Sequence, residues 1–94
     1  MNQPAVFRFR LYIAGEGPNS VHAVANLQAI CRECLFERHE IEIVDILKDQ
    51  GRALADGVMM TPLLVKLSPA PVRKIVGSLS VRDSVLQALG LNTA

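Results

Sequence analysis

Several residue types that define particular classes of protein are scarce or missing in this 94-residue chain. It has no tryptophan, and its four other aromatic residues are too few for a platform on which nucleic-acid bases stack. Its net charge is only +1, and the sequence has no dense run of basic residues such as a nucleic-acid-binding protein presents. No apolar run approaches the ~18 residues of a membrane span, and the amino terminus lacks the pattern of a signal peptide. We therefore expect a cytoplasmic protein that binds neither nucleic acid nor membrane.

The chain is short but apolar enough to fold. Half of its residues are hydrophobic and a fifth are charged, whereas a disordered chain is less apolar and more charged. Because domains usually contain ~100–150 residues, we predict one domain over residues 1–94, with an ordered core over about residues 6–91.

Four short segments have the alternation or composition of β-strands. In the first, apolar side chains occupy every second position and polar ones fall between them, which predicts a strand with two unlike faces. The apolar side carries Phe7, Phe9, Leu11 and Ile13, and the other side carries Arg8, Arg10 and Tyr12. The predicted strands cover residues 6–14, 40–46, 63–67 and 72–76.

Three segments are predicted to be helices. We expect Asn19 or Ser20 to cap the first, because a side-chain oxygen accepts the free amides of a helix start. The second is weaker because it contains Gly51. The third follows Ser80-Val81-Arg82-Asp83, which matches a capping box with Asp in place of Glu. The predicted helices cover residues 21–35, residues 48–56 and the segment after residue 80.

The predicted order β-α-β-α-β-β-α defines an α/β fold. The first two strands, joined through a helix, should be parallel, and the last two, joined by a short connection, should form an antiparallel hairpin. This is the thioredoxin-like arrangement. Thr61-Pro62 stands where such a fold normally has a cis-proline before its third strand, so we predict a cis bond at Pro62.

Cys31 and Cys34 have the spacing of a redox-active dithiol. In thioredoxin-like proteins, however, the reactive pair opens the first helix, whose positive end stabilises a thiolate. Here the pair lies about three turns later, so we expect two free, packed cysteines and keep a thioredoxin-like redox or stress protein as the alternative. With His22 and His39 they would make only a weak zinc constellation, and we expect no metal.

The sequence contains no recognisable catalytic constellation. No serine stands in a His–Asp pattern, and the glycines form no phosphate loop. A strand end and a helix cap explain Asp45 and Asp49 better than a catalytic carboxylate pair does. We therefore expect a protein that is not an enzyme and has no cofactor.

Basic residues are concentrated in the second half of the chain. Residues 1–57 carry a net charge of −2 and residues 58–94 a net charge of +3. Lys66, Arg73 and Lys74 border a proline-rich turn, and Arg10 lies on the first predicted strand. Such cations can protect an edge strand from aggregation or meet an acidic partner, and the residues alone leave both roles open.

Four motifs occur in order along the chain. The first is Leu11-Tyr12-Ile13-Ala14-Gly15 followed by Pro18-Asn19-Ser20, and the others are Val44-Asp45-Ile46-Leu47-Lys48, Thr61-Pro62-Leu63, and the segment 69–80 with the sequence PAPVRKIVGSLS. In their order and spacing, these motifs resemble those of the KaiB circadian-clock proteins. The resemblance covers roughly residues 7–91, and the sensor domains of some clock-linked histidine kinases are similar too.

The resemblance implies a binding protein without catalysis. KaiB proteins dock on the ring-shaped KaiC ATPase in a phosphorylation-dependent way, sequester KaiA and compete with a sensor histidine kinase. The implied role is therefore a timing regulator, or a role in stress adaptation where no full oscillator exists. The family also has a second fold, βαββααβ, that forms tetramers, so a dimer or tetramer is compatible with the resemblance. Gln87 and Ala88 are better suited to a helix than to a strand and favour the thioredoxin-like state.

Two groups of residues correspond to partner-binding positions of that family. His22 and Glu42 stand where the clock proteins are commonly basic, so binding of KaiA is less strongly implied than binding of KaiC. The basic group, implied to bind partners, is Arg10, Lys66, Arg73 and Lys74. The edge group, implied to offer KaiA a strand edge, is Glu40, Ile41, Glu42, Ile43 and Val44.

Overall fold

The computed structural model describes residues 5–91 and contains seven elements in the predicted order. Its parallel and antiparallel strand pairs are those of the predicted thioredoxin-like fold, and α3 is a helix as expected. The strands are β1 (Phe7–Ile13), β2 (His39–Asp45), β3 (Leu63–Ser68) and β4 (Arg73–Val76), and the helices are α1 (Pro18–Cys34), α2 (Gln50–Ala55) and α3 (Arg82–Ala88).

The four strands form one mixed sheet in the order β2-β1-β3-β4. β1 pairs in parallel with β2 and antiparallel with β3, and β3 and β4 form the predicted antiparallel hairpin. β2 and β4 are therefore the two edges of the sheet. No helix within residues 5–91 is both long and apolar enough to cross a membrane.

The sheet has two unlike faces, as the alternation along β1 predicts. One face, here called the helix-covered face, carries Phe9 and Leu11 and packs against apolar residues of α1 and α3 in the main core. The other, here called the α2 face, carries a smaller buried cluster of Tyr12, Val44 and Val65. Side chains alternate across a strand, so each face takes every second residue of β1.

The predicted cap of α1 is wrong. The helix begins at Pro18 after Gly17, which makes no side-chain capping bond. Proline suits the first helical position because its ring fixes φ and it has no N–H to leave unpaired. Ser20 lies inside the helix, where its hydroxyl oxygen accepts a hydrogen bond from the Ala14 amide at 3.2 Å and joins α1 to the end of β1.

The predicted capping box of α3 is also wrong. Val81 occupies the N-cap position, and no side chain caps the helix. The Ser80 hydroxyl instead accepts a hydrogen bond from the Ser78 hydroxyl at 3.2 Å. Val81 is exposed, while Val85 and Leu89 are buried in the main core.

Three prolines follow cis peptide bonds in the second half of the chain. The bond between Thr61 and Pro62 is cis, as predicted, and Pro62 is buried just before β3. The bonds before Pro69 and Pro71, in the turn between β3 and β4, are also cis, which the sequence did not indicate.

Candidate partner-binding surfaces

The edge strand β2 presents its residues to both faces of the sheet. Glu40, Glu42 and Val44 pair with Arg8, Arg10 and Tyr12 of β1, and so lie on the α2 face. Ile41 and Ile43 lie on the opposite face, where Ile41 packs against the main core and Ile43 is exposed. The five residues of the edge group therefore share an edge of the sheet but not a face.

The basic group is also divided between the faces. Arg10, Val65 and Lys74 are opposite one another on β1, β3 and β4, so Arg10 and Lys74 both lie on the α2 face. Lys66 pairs with Phe9 and Arg73, which puts Lys66 and Arg73 on the helix-covered face. Two neighbours in sequence, Arg73 and Lys74, thus point in opposite directions.

Lys66 differs from the other basic residues in its burial. The residue is only 4% exposed, and its ammonium lies 5.6 Å from the centre of the Phe7 ring. A lysine over an aromatic face is held by the ring's negative potential as well as by the packing of its stem. Its cation is consequently withdrawn from the surface that a partner would touch.

Arg73 and Lys74 are exposed cations on β4. Within residues 5–91 neither forms an ion pair, whereas Arg8, Arg10, Arg52 and Arg82 all do. Long charged side chains on an edge strand keep their freedom and their charge available to another molecule. β4 is therefore the edge of the sheet whose positive charges form no ion pair within the described residues.

Arg10 is held in a set of side chains that joins β1, β2 and α2, here called the α2 network. The Arg10 Nε donates to Glu42 Oε1 at 2.6 Å, and Arg52 donates two bonds to the same carboxylate at 3.1 and 3.3 Å. Asp56 accepts bonds from the Tyr12 hydroxyl at 2.6 Å and from Arg52 Nε at 3.1 Å. The α2 network consists of Arg10, Tyr12, Glu42, Arg52 and Asp56.

Electrostatics keeps both carboxylates of the α2 network ionised. Hydrogen bonds from Arg52 and then Arg10 lower the pKa of Glu42. The hydrogen bond from Tyr12, followed by the one from Arg52, lowers the pKa of Asp56. Burial, together with the bond to Asp56, raises the pKa of the Tyr12 phenol. The charges of two guanidinium groups and two carboxylates cancel, so the α2 network has no net charge.

A shallow cavity of about 450 Å³ lies where the carboxyl ends of β1 and β2 meet α2. It is lined in part by Asp45 and Asp49, and both carboxylates have structural tasks. Asp45 accepts the amides of Gly15 and Leu47, both at 3.0 Å, which lowers the pKa of the carboxyl. Asp49 caps α2 by accepting the Arg52 amide at 3.1 Å. The predicted strand end and helix cap are confirmed.

The two cysteines lie in the last turn of α1, far from its start. Cys31 is fully buried, and burial raises the pKa of its thiol to about 12. Cys34 is half-buried, with its sulfur 3.8 Å from an Arg82 nitrogen, and both cysteines are free thiols. A thiol that stays protonated at neutral pH is a poor nucleophile, so the geometry does not favour a dithiol redox site.

The histidines have separate surroundings. His22 is exposed on α1, and the ring Nδ1–H of His39 donates to the Leu35 carbonyl oxygen at 2.7 Å. In the part of the chain that the structure describes, no three His, Cys, Asp or Glu side chains come together as metal ligands.

Comparison with solved structures defines the fold class. The N-terminal domain of SasA from Synechococcus elongatus has a TM-score of 0.72 and 16% identity, over 100% of this chain and 92% of that domain. Mitochondrial thioredoxin 3 from Saccharomyces cerevisiae has a TM-score of 0.67 and 12% identity, over 93% of this chain and 77% of the thioredoxin. The protein is thus a thioredoxin-like α/β domain.

Comparison of sequences defines the family within that class. Residues 10–91 match the KaiB domain family. Circadian clock protein KaiB3 of Synechocystis sp. is 39% identical over 82 residues, which are 87% of this chain and 80% of that protein. Circadian clock oscillator protein KaiB of Microcystis aeruginosa is 43% identical over 82 residues, 87% of this chain and 79% of that protein. The chain belongs to the KaiB family of circadian-clock proteins, which confirms the resemblance.

Proposed function

We propose that this protein is a cytoplasmic, non-enzymatic timing regulator that binds a KaiC-type ATPase and modulates its phosphorylation cycle or output. A role in stress adaptation is compatible with the same binding activity. The observation that carries the proposal is the pair of exposed cations Arg73 and Lys74 on the edge strand β4, neither of which forms an ion pair with any of residues 5–91. Membership of the KaiB family gives the ATPase as the partner to test first.

Arg73 and Lys74 are the best docking residues of the basic group. Lys66 is buried against Phe7, and Arg10 already bonds to Glu42. A partner that used Arg10 would first have to replace an internal charge-assisted hydrogen bond, which is stronger than a neutral one. The expected partner surface is therefore acidic and reaches the β4 edge, where charge complementarity steers the encounter.

The β2 edge supports a second partner. The strand lies at the end of the sheet, so its outer backbone groups are available for addition of a strand from KaiA or a sensor histidine kinase. Glu40 is paired with Arg8, and Glu42 with Arg10 and Arg52, so the charges of this edge are balanced within the protein, unlike the exposed cations of the β4 edge. The two edges would then bind chemically different partners. Self-association into a dimer or tetramer belongs to the same proposal.

The test is a binding titration with the KaiC-type ATPase of the source organism, in the presence of ATP. Arg73→Glu and Lys74→Glu are measured separately, because they report on the two faces of the sheet. Arg32→Glu, an exposed residue on α1, is the matched control for the charge change. We expect at least one β4 variant to bind about tenfold more weakly, a loss of ~1.4 kcal/mol, while the control binds normally.

Two results would contradict the proposal. The unmodified protein could fail to bind the ATPase in every nucleotide and phosphorylation state. Alternatively, Arg32→Glu could weaken binding as much as the β4 variants, which would reduce the effect to overall charge. Light scattering on the same samples measures whether the free protein is a monomer, dimer or tetramer.

A further inference from the structure

Of the three helices in the described residues, α2 is the one without a buried residue. None of its six residues is buried, and Leu54 is 85% exposed. A helix this short is not stable alone in water, because too few hydrogen bonds offset the cost of starting it. Contacts with the rest of the protein must therefore hold α2 in place.

The segment from residue 46 to residue 58, which contains α2, contacts the sheet through apolar side chains at its ends and through polar side chains in its middle. Ile46 and Val58 pack against the cluster formed by Tyr12, Val44 and Val65. Between them, the side-chain hydrogen bonds from α2 to the sheet in the described structure are those of the α2 network, through Arg52 and its C-cap residue Asp56. Apolar packing therefore holds the two ends of this segment, and hydrogen bonds that involve charged groups hold the part between them.

The charged side chains of the α2 network are also accessible to salt. Exposed fractions of these side chains are 26% for Arg10, 48% for Glu42, 31% for Arg52 and 25% for Asp56. Attraction between partly exposed charges falls as the ionic strength rises, whereas apolar packing is not weakened in this way. The middle of the segment is therefore more sensitive to salt than the main core.

We infer that residues 47–57 form a salt-sensitive cover, which opens as a local unit between Ile46 and Val58 when the α2 network is screened or broken. Opening uncovers the Tyr12 hydroxyl and releases Arg10 and Glu42 from Arg52 and Asp56. Under the proposed function, this uncovers two candidate partner-binding residues, which keep their bond to each other, but the opening itself does not depend on that function.

Hydrogen exchange of the full chain tests the inference. The reporters are the Asp56, Gly57 and Val58 amides, which donate to carbonyls of α2 at 2.9, 3.2 and 2.9 Å and lose these partners when the helix melts. The Leu35 and Leu89 amides, at the ends of α1 and α3, are the reference. Between about 0.01 M and about 1 M NaCl the Debye length falls from ~30 to ~3 Å. We expect the reporters to exchange about three- to tenfold faster at high salt, with the reference amides unchanged.

Arg52→Gln separates the network from other causes of opening. Glutamine is a good helix former, so the substitution removes the charge with little effect on helix propensity. We expect about three- to tenfold faster reporter exchange at low salt and no further acceleration by salt. Tyr12→Phe, which removes the hydroxyl that bonds to Asp56, should accelerate the same amides and leave the reference amides unchanged.

Arg8→Gln is the matched control. It breaks the Arg8–Glu40 pair at 3.1 Å, which joins β1 to β2 as Arg10–Glu42 does but involves no residue of α2. The reporters should exchange at their normal rate in this variant. Normal exchange in Arg52→Gln, equal acceleration by Arg8→Gln, or equal acceleration of the reference amides by salt would each overturn the inference.

Discussion

The two faces of the sheet are covered by different physical means. On the helix-covered face, a continuous apolar core joins Phe9 and Leu11 of β1 to α1 and α3. On the α2 face, a small cluster around Tyr12 lies beneath a helix that buries none of its own residues. The hydrophobic effect holds the helices on the helix-covered face, whereas hydrogen bonds that involve charged groups hold α2 on the other face.

This difference indicates how stability is distributed in a small domain. Apolar packing requires many close neighbours at once, so it opens only when the domain unfolds. A partly exposed polar network loses its attraction through screening, protonation or one substitution, so it opens at lower cost. The helix-covered face therefore maintains the fold, and the α2 face is the region that can change.

The largest expected effect comes from truncating an apolar side chain of the main core. Leu27 of α1 is 1% exposed within the main core, and Leu27→Ala should lower the free energy of unfolding by about 2–5 kcal/mol. The matched control is Leu54→Ala on α2, which should change it by less than ~0.5 kcal/mol. Urea unfolding of both variants measures the contrast, and similar losses would show that the two covers contribute alike.

A second expected effect is a difference in access to the two thiols. Cys31→Ser leaves only the half-buried Cys34, and Cys34→Ser leaves only the fully buried Cys31. We expect a disulfide reagent to modify the first variant about tenfold faster or more, because Cys31 is both covered and protonated. An insulin-reduction assay completes the comparison: turnover that disappears in Cys31→Ser would favour the redox function instead.

The smallest expected effect is the response of the α2 face to acid. Hydrogen bonds lower the pKa values of Asp56 and Glu42, so these groups stabilise the folded state above their ordinary pKa values of ~3.9 and ~4.3. That contribution is lost as the pH falls through the lower folded values. Exchange of the α2 amides, corrected for the intrinsic pH dependence, should therefore increase below about pH 4, before that of Leu35 and Leu89.

Tyr12 gives an independent measure of the acid response. It is the only tyrosine in a chain without tryptophan, so the fluorescence of the protein reports on this one site. We expect its acid titration to have a midpoint below the ordinary aspartate pKa of ~3.9, and to disappear in Asp56→Asn. A midpoint at or above the ordinary value would contradict the described bond between Tyr12 and Asp56.

The sequence predicted what depends on regular patterns. Alternation along residues 7–13 predicted the two faces of β1, and the short connection before Arg73 predicted the hairpin. The errors concern the ends of helices. Ser20 and Ser80 both have the chemistry of a cap, but their hydroxyls bond elsewhere, to the Ala14 amide and to Ser78. Local propensity could not anticipate which of several available donors each hydroxyl meets.

The candidate site was less predictable because it depends on register and distant pairing. The exposed cations of β4 follow from placing a basic strand at an edge. The burial of Lys66 follows from its pairing with Phe9, and Tyr12 bonds to a carboxylate 44 positions away. Arg52 lies in a segment whose helix signal was weak. The sequence signal for the α2 network is the pair of opposite charges Arg10 and Glu42 on neighbouring strands, and it can be recognised once the register of the two strands is known.

The central place of β1 has a consequence for the protein during its synthesis. β1 is made first among the strands but needs partners on both of its edges. Its parallel partner β2 is complete at Asp45, while its antiparallel partner β3 is complete only at Ser68. At ~5–20 residues per second, the ribosome takes roughly one to five seconds to make the chain between those points. For that interval, the strand that becomes the middle of the finished sheet is an open edge of the nascent chain.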